Sequence, residues 1–190
     1  RKRSQVVLQP AVPDRPLMLK SENNRYLLPQ EHVALFLSVP LWAQLYAGEA
    51  NPAQLMLDVP LIPLSDTWFG SENGELAYNL RSAFSDTPAG VAPKPWQVVC
   101  PVVVTNASQE LLPMEAFLLR LPYANIYSHD QQLITDTIYV KFRGRDTDSV
   151  IDVERDTKLT GKQRPVAKPR ISGEGSLIKK SFSFIKMIYH

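Results

Sequence analysis

Cysteine is almost absent. The 190-residue chain carries one, Cys100, so no internal disulfide can form and a disulfide-stapled secreted scaffold is excluded. A reducing, cytoplasmic setting fits that usage. Histidine is scarce as well: His32, His129 and His190 are the three. None stands at ligand spacing from another histidine or from the cysteine, which predicts neither a metal site nor a cofactor. Glycine is low, at eight, and never clusters at P-loop or dinucleotide-binding spacing, so no phosphate-cradling loop is expected. Long apolar runs are missing too. The longest, from Val33 to Gly48, is sixteen residues interrupted by Pro40 and Gln44, short of the roughly 20 that a membrane-spanning helix needs. No nucleophile-elbow pattern occurs, and a Ser71/His129/Asp136 triad has no sequence support. Cys100 itself lies in the apolar run QVVCPVVV with no basic neighbour to lower its pKa, the setting of a buried small hydrophobe rather than a nucleophile.

What the chain has in quantity is proline, 16 residues set between short apolar runs, which punctuates strands and argues against long helices. A 44% hydrophobic, 21% charged composition is that of a globular domain, and the length suits one sizeable core. Residues 1–14 read as an extended lead-in rich in proline. LMLKSENNRYLLP reads as strand, turn and returning strand; Val33–Gly48 as two strands, or one bent at Pro40; AQLMLDVPLIPLS as a sheet edge or bulge carrying Pro60 and Pro63. In the next segment Ser71-Glu72-Asn73-Gly74 is a hairpin turn. From Glu75 to Phe84 the residues alternate, with Leu76, Tyr78, Leu80 and Phe84 on one face and Glu75, Asn79 and Arg81 on the other. Trp96–Asn106 reads as a strand buried on both faces or covered by a loop. Ser128–Gln131 reads as a second hairpin turn, and the Asn106-Ala107-Ser108 sequon as a turn rather than a glycan acceptor. Turn signals every ten or so residues predict an all-β fold, an antiparallel β-sandwich of jelly-roll or barrel type, over residues 15–156.

Charge divides the chain. Residues 1–156 hold 13 basic and 18 acidic side chains, whereas residues 157–190 hold eight basic and one acidic. The second segment is therefore a basic C-terminal strap or tail, suited to docking on its own acidic domain or to an anionic partner through Lys168, Arg170, Lys179, Lys180 and Lys186. A membrane surface or a nucleic acid is the less favoured target. In the last fifteen residues Ile178, Phe182, Ile185 and Tyr189 share one helical face, although the same stretch also fits a strand. In the body, Asp136 alternates with Ile134, Ile138, Val140 and Phe142, which places a carboxylate on an apolar face. Burial there requires a cation or several donors, and Arg81 or Arg120 is the expected partner. Glu115 poses the same question.

Trp68-Phe69-Gly70, then Gly74-Glu75-Leu76 with Tyr78, PWQVVCPVVVTNAS, LRLPYANIYSHD, TDTIYVKF and Pro169-Arg170 before GSLIKKSFSF together carry a resemblance. From about residue 60 to residue 185 the chain resembles the uncharacterised prokaryotic family catalogued as domain of unknown function number 432. Tyrosine is more frequent in that family where Phe69 stands, which removes a hydroxyl-dependent role from this position. The resemblance implies a prokaryotic, intracellular protein and no activity, and no catalytic residue is carried over from it. From the residues themselves the first reading is a non-enzymatic binding or regulatory module. A small molecule or protein partner would be met by Trp68, Phe69, Glu75, Tyr78, Arg81, Arg120 and Asp136, with a homodimer through an open sheet edge as a further expectation. The rival is a carboxylate-dependent hydrolase of a sugar-like substrate, which needs two of Glu75, Glu115 and Asp136 in one cleft.

Overall fold

A computed structural model of the chain describes residues 5–21, 25–48, 53–69, 74–82, 84–114, 116–144, 150–154 and 164–171. Fifteen strands occur there in the order β1 (Gln5–Ala11), β2 (Leu17–Ser21), β3 (Tyr26–Leu27), β4 (His32–Pro40), β5 (Trp42–Gly48), β6 (Gln54–Pro60), β7 (Ser65–Phe69), β8 (Glu75–Ser82), β9 (Gln97–Asn106), β10 (Leu112–Pro113), β11 (Ala116–Leu119), β12 (Ile126–His129), β13 (Gln132–Thr135), β14 (Thr137–Phe142) and β15 (Val150–Glu154). One 3₁₀ turn, Pro88–Gly90, is the helical element among the described residues. None of their helices is long and apolar enough to cross a membrane.

Two sheets form the sandwich. A four-stranded sheet, β11-β2-β8-β7, faces a six-stranded one in which β12-β13-β9-β14-β15 is joined by β4 along the other side of β9. Their inner faces share one buried cluster, with Leu17, Leu19 and Leu119 from the first sheet and Leu35, Leu37, Val98, Cys100, Val102 and Ile138 from the second. Most pairings are antiparallel, as the turn rhythm predicts, but β2 runs parallel to β8, and β9 parallel to both β13 and β14. The expected hairpin of residues 17–29 does not form: β2 pairs with β11 and β8, while β3 pairs with β10. Residues 75–82 and 132–142 are extended, as their period-two alternation requires.

The central strand carries Pro101, which costs a ladder hydrogen bond anywhere but at an edge or a bulge. Its cross-strand partner Phe36 turns both of its own backbone groups outward, to Ser85, so the Phe36/Pro101 pair is a non-hydrogen-bonded one and the proline nitrogen faces the other neighbour. There the register moves from Val99↔Ile134 to Val102↔Ile138, three residues against four, with the extra residue at Asp136. Bulge and proline therefore coincide, and no donor is missed.

Pro40 ends β4, and the chain enters β5 in a different sheet. The two-strand reading of Val33–Gly48 holds, and the change of sheet explains why the break is sharp. That third sheet, β1-β5-β6, is three-stranded and antiparallel. Gln5–Ala11, read from sequence as a lead-in, is one of its strands, paired with β5 along its whole length. At the hairpin between β12 and β13, Asp130 and Gln131 both take positive φ, the type I′ geometry that matches strand twist. Asn106 is fully buried and its amide donates to the carbonyls of Leu27, Leu28 and Glu110 while its oxygen accepts from Ser108. The sequon is thus a structural clip, closed to glycosylation in the folded chain.

Candidate binding groove

The three-stranded sheet presents two unlike faces, and alternation determines which residues share each. On one face the register aligns Gln9 with Gln44 and Gln44 with Asp58, a polar row across all three strands. Below it stand the buried Ala11 and Trp42 with the exposed Pro60 beside them, and above it Val7, Tyr46 and Leu55. The row is connected. Gln9 Nε2 donates to Gln44 Oε1 at 3.4 Å, Tyr46 donates its hydroxyl proton to the same oxygen at 3.0 Å, and Gln44 Nε2 donates to Asp58 Oδ2 at 3.0 Å.

Residues 164–171 cross in front of this face. The segment is tied down by Ile126, whose N–H donates to the Ala167 carbonyl and whose own carbonyl accepts from Val166, and by a bond from Ile171 N–H to Pro122. Arg170 fixes its far end. The guanidinium forks onto both oxygens of Asp58, with Nη2 2.9 Å from Oδ1, and Nε donates to the Val12 carbonyl at 2.5 Å. The fork is the bidentate arrangement that arginine's planar donors favour. It holds the Asp58 carboxyl below its usual range, and the Gln44 bond adds to that while partial burial opposes it. Sheet and strap flank an open groove of about 680 Å³, lined by Val7, Gln9, Gln44, Tyr46, Leu55 and Asp58 on one side and Pro165–Arg170 on the other. Its lining is polar and apolar in equal measure, with Gln9, Gln44, Tyr46, Asp58, Lys168 and Arg170 facing Val7, Leu55, Val166 and the strap prolines, a more polar surface than the usual small-molecule site. Lys168 is exposed on its wall.

The residues singled out from sequence fall in several places. Phe69 is core, because it faces inward opposite Glu75 on the β7–β8 ladder, which removes it from any recognition surface. Trp68 and its partner Leu76 are exposed. The Tyr78 ring sits 5.5 Å from Trp42 and 5.4 Å from the Arg15 guanidinium, and its hydroxyl donates to Asp14. Burial first, then Asp14, raises its pKa. This tyrosine joins the three-stranded sheet to the sandwich. Arg81 is exposed.

Asp136 is buried as expected, but the predicted arginine partner is a correction. Arg120 pairs with Glu75, and burial lowers its pKa. Asp136 Oδ2 instead accepts from the backbone and side-chain amides of Asn125 at 2.8 and 2.7 Å. The bulge opposite Pro101 turns the carboxylate toward that loop. Glu75 and Asp136 each have a partner of their own that is neither a carboxylate nor a nucleophile, and Glu115 lies outside the described residues. Among the tail cations Arg170 is committed to Asp58, whereas Lys179, Lys180 and Lys186 lie outside the described residues. No group of three metal-ligating side chains occurs among the described residues.

Sequence reasoning passed over Gln9, Gln44, Tyr46 and Asp58. One signal was present: Gln44 interrupts an otherwise apolar run, and a polar residue on the inward parity of a strand needs partners.

Fold and groove define an all-β protein of curled, mixed sheets with a C-terminal strap laid across a small third sheet. The chain belongs to the family described as Protein of unknown function (DUF432), whose model matches residues 1–187. Comparisons with curated proteins and with solved structures gave no match.

Proposed function

We propose that this chain is a non-enzymatic binding module whose ligand enters the groove between the β1-β5-β6 sheet and the strap. The observation that supports the reading most directly is the Gln9–Gln44–Asp58 row, a connected line of polar side chains on a sheet whose other rows are apolar apart from Gln5, Tyr46 and Gln54. Arg170 balances the Asp58 charge, so the groove offers neutral amides, a phenol and the Lys168 ammonium. That set suits a small molecule with hydroxyls or one anionic group together with an apolar part. A strap pinned at Ile126, Pro122 and Asp58 holds both walls in place, which lowers the ordering cost of binding.

The test has two stages. Small molecules released from the purified full chain are identified by mass, and titration calorimetry then uses the released species, with inorganic phosphate, citrate and glucose as probes of the anionic and hydroxylated classes. Binding should weaken about tenfold or more in Tyr46→Phe or Gln9→Ala, since one lost hydrogen bond to a ligand is worth about 1.4 kcal/mol or more when its partner is left buried. Absence of a co-purifying molecule together with no heat from any probe, or affinity indifferent to both substitutions, would count against the groove.

A further inference from the structure

The opposite face of the same sheet is apolar almost throughout. Its rows are Val6, Ala47 and Gln54, then Leu8, Leu45 and Leu57, then Pro10, Ala43 and Val59. Val6 is 62% exposed, Leu8 70%, Leu57 46% and Val59 38%. Single exposed apolar residues are ordinary, but a contiguous face of them marks a surface that something covers.

We propose that the C-terminal segment of this chain, residues 178–190, covers it. Three observations select this occupant. First, Arg170 is fixed to Asp58 on edge strand β6, so the chain leaves the described residues beside this sheet. Six residues, SGEGSL from 172 to 177, then span up to about 20 Å when extended, enough to round one strand edge. Their glycine and serine content suits a bend. Second, the dimensions agree. Ile178, Phe182, Ile185 and Tyr189 recur at helical spacing with Lys179, Lys180 and Lys186 off the stripe, and eleven steps of a helix rise roughly 16 Å. Three strands about 4.8 Å apart and three rows along them give a patch of comparable length and about one helix wide. Third, a second copy is disfavoured by area. A patch of this size offers on the order of 400 Å², about half of what one partner of a stable interface buries, whereas a tethered segment meets the face at millimolar effective concentration.

Crosslinking tests this in the full chain. Leu8→Cys and Ile185→Cys are combined and treated with a short bis-maleimide. Cys100 is fully buried and stays silent in the folded protein. The expected result is a crosslink within one molecule, formed at least tenfold faster than in the control pair Lys20→Cys/Ile185→Cys, Lys20 being exposed on the sandwich. Rates equal to the control overturn the proposal, and so does a product that is mainly an intermolecular dimer, which assigns the face to a second copy. Because β1 could be disturbed by the first substitution, a second measurement leaves the sheet untouched. Phe182→Asp should raise the fluorescence of an apolar-surface dye several-fold over the parent chain, and unchanged fluorescence also overturns the proposal. Neither readout depends on the groove, so failure here and failure of the groove reading are distinguishable.

Discussion

Arg170→Ala and Asp58→Asn probe the tie on which both the strap and the groove depend. The paired side chains are 13% and 25% exposed, between the surface pairs that contribute about 0–1 kcal/mol and the fully buried ones whose rupture costs about 3–5 kcal/mol. Arg170 also donates to Val12, so its removal leaves a carboxylate and a carbonyl short of partners, and we expect a loss of about 2–3 kcal/mol. Asp58→Asn keeps the shape and the Gln44 contact and should cost slightly less. If the pair acts as a unit, the double variant falls about 1.5 kcal/mol or more short of additivity. Urea denaturation of the four proteins at pH 7 measures this, and the same series taken to pH 3 adds a sign test. The folded-state pKa of Asp58 lies below its ordinary value because of Arg170, so its contribution is complete above the unfolded value of about 4 and is lost as pH falls through the lower folded value. Parent protein should lose stability there and Asp58→Asn should lose less. Additive costs, or parallel pH profiles in parent and variant, would falsify the assignment of the strap to this pair.

Three other outcomes follow from the fold. Asn106→Ala removes five hydrogen bonds, to the carbonyls of Leu27, Leu28 and Glu110 and from the Ser108 amide and hydroxyl; at about 1 kcal/mol net each the loss is about 5 kcal/mol, read as a Tm drop of roughly 10–20 °C for a domain of this size. Burial pushes the Cys100 thiol up to about 12, so a disulfide reagent at pH 8 should react stoichiometrically only in denaturant, and prompt reaction of the native chain contradicts the buried central strand. Gly90→Ala places a Cβ into the Ser85 side chain, 3.0 Å from its Cβ and closer still to its hydroxyl. That hydroxyl bonds Thr87 on both sides, so a cost of about 1–3 kcal/mol is expected by thermal denaturation.

Local pattern revealed the sandwich because period-two sidedness is a property of each strand alone. Ile138, Val140 and Phe142 enter the core shared by the two sheets, as their alternation indicated, but the bulge at Asp136 reverses the parity and Ile134 packs with Phe36, Val99 and Tyr127 on the other face of its sheet; Pro40 marks the change of sheet. Pairing was less legible because it depends on distant segments. LMLKS and YLLP flank a good turn, yet β2 pairs with β8 and β11 from later in the chain. Leu76 illustrates the same limit on sidedness: it lies on the apolar parity of β8 but is exposed, while Ala77 on the polar parity is fully buried. Ala77 shares its face with the buried Phe69 and Met18, so both faces of this sheet carry core residues, and alternation within one strand does not reveal that.

The groove was illegible for a related reason. Gln9, Gln44 and Asp58 lie 35 and 14 residues apart and share no motif, so their alignment arises from register. A one-residue slip of β1 or β6 would send them to opposite faces. The bulge between Leu45 and Tyr46 keeps Asp58 in the row while shifting Leu55 beside Tyr46, so the same irregularity sets both the polar row and its apolar rim. Arg170 reads only that register: its fork requires Asp58 on the strap side. Pinning the last described segment of the chain to an edge strand therefore ties the groove to correct pairing of the third sheet, and a chain that mispaired β6 would lose the strap, the groove and the neighbouring site for its C-terminal segment at once.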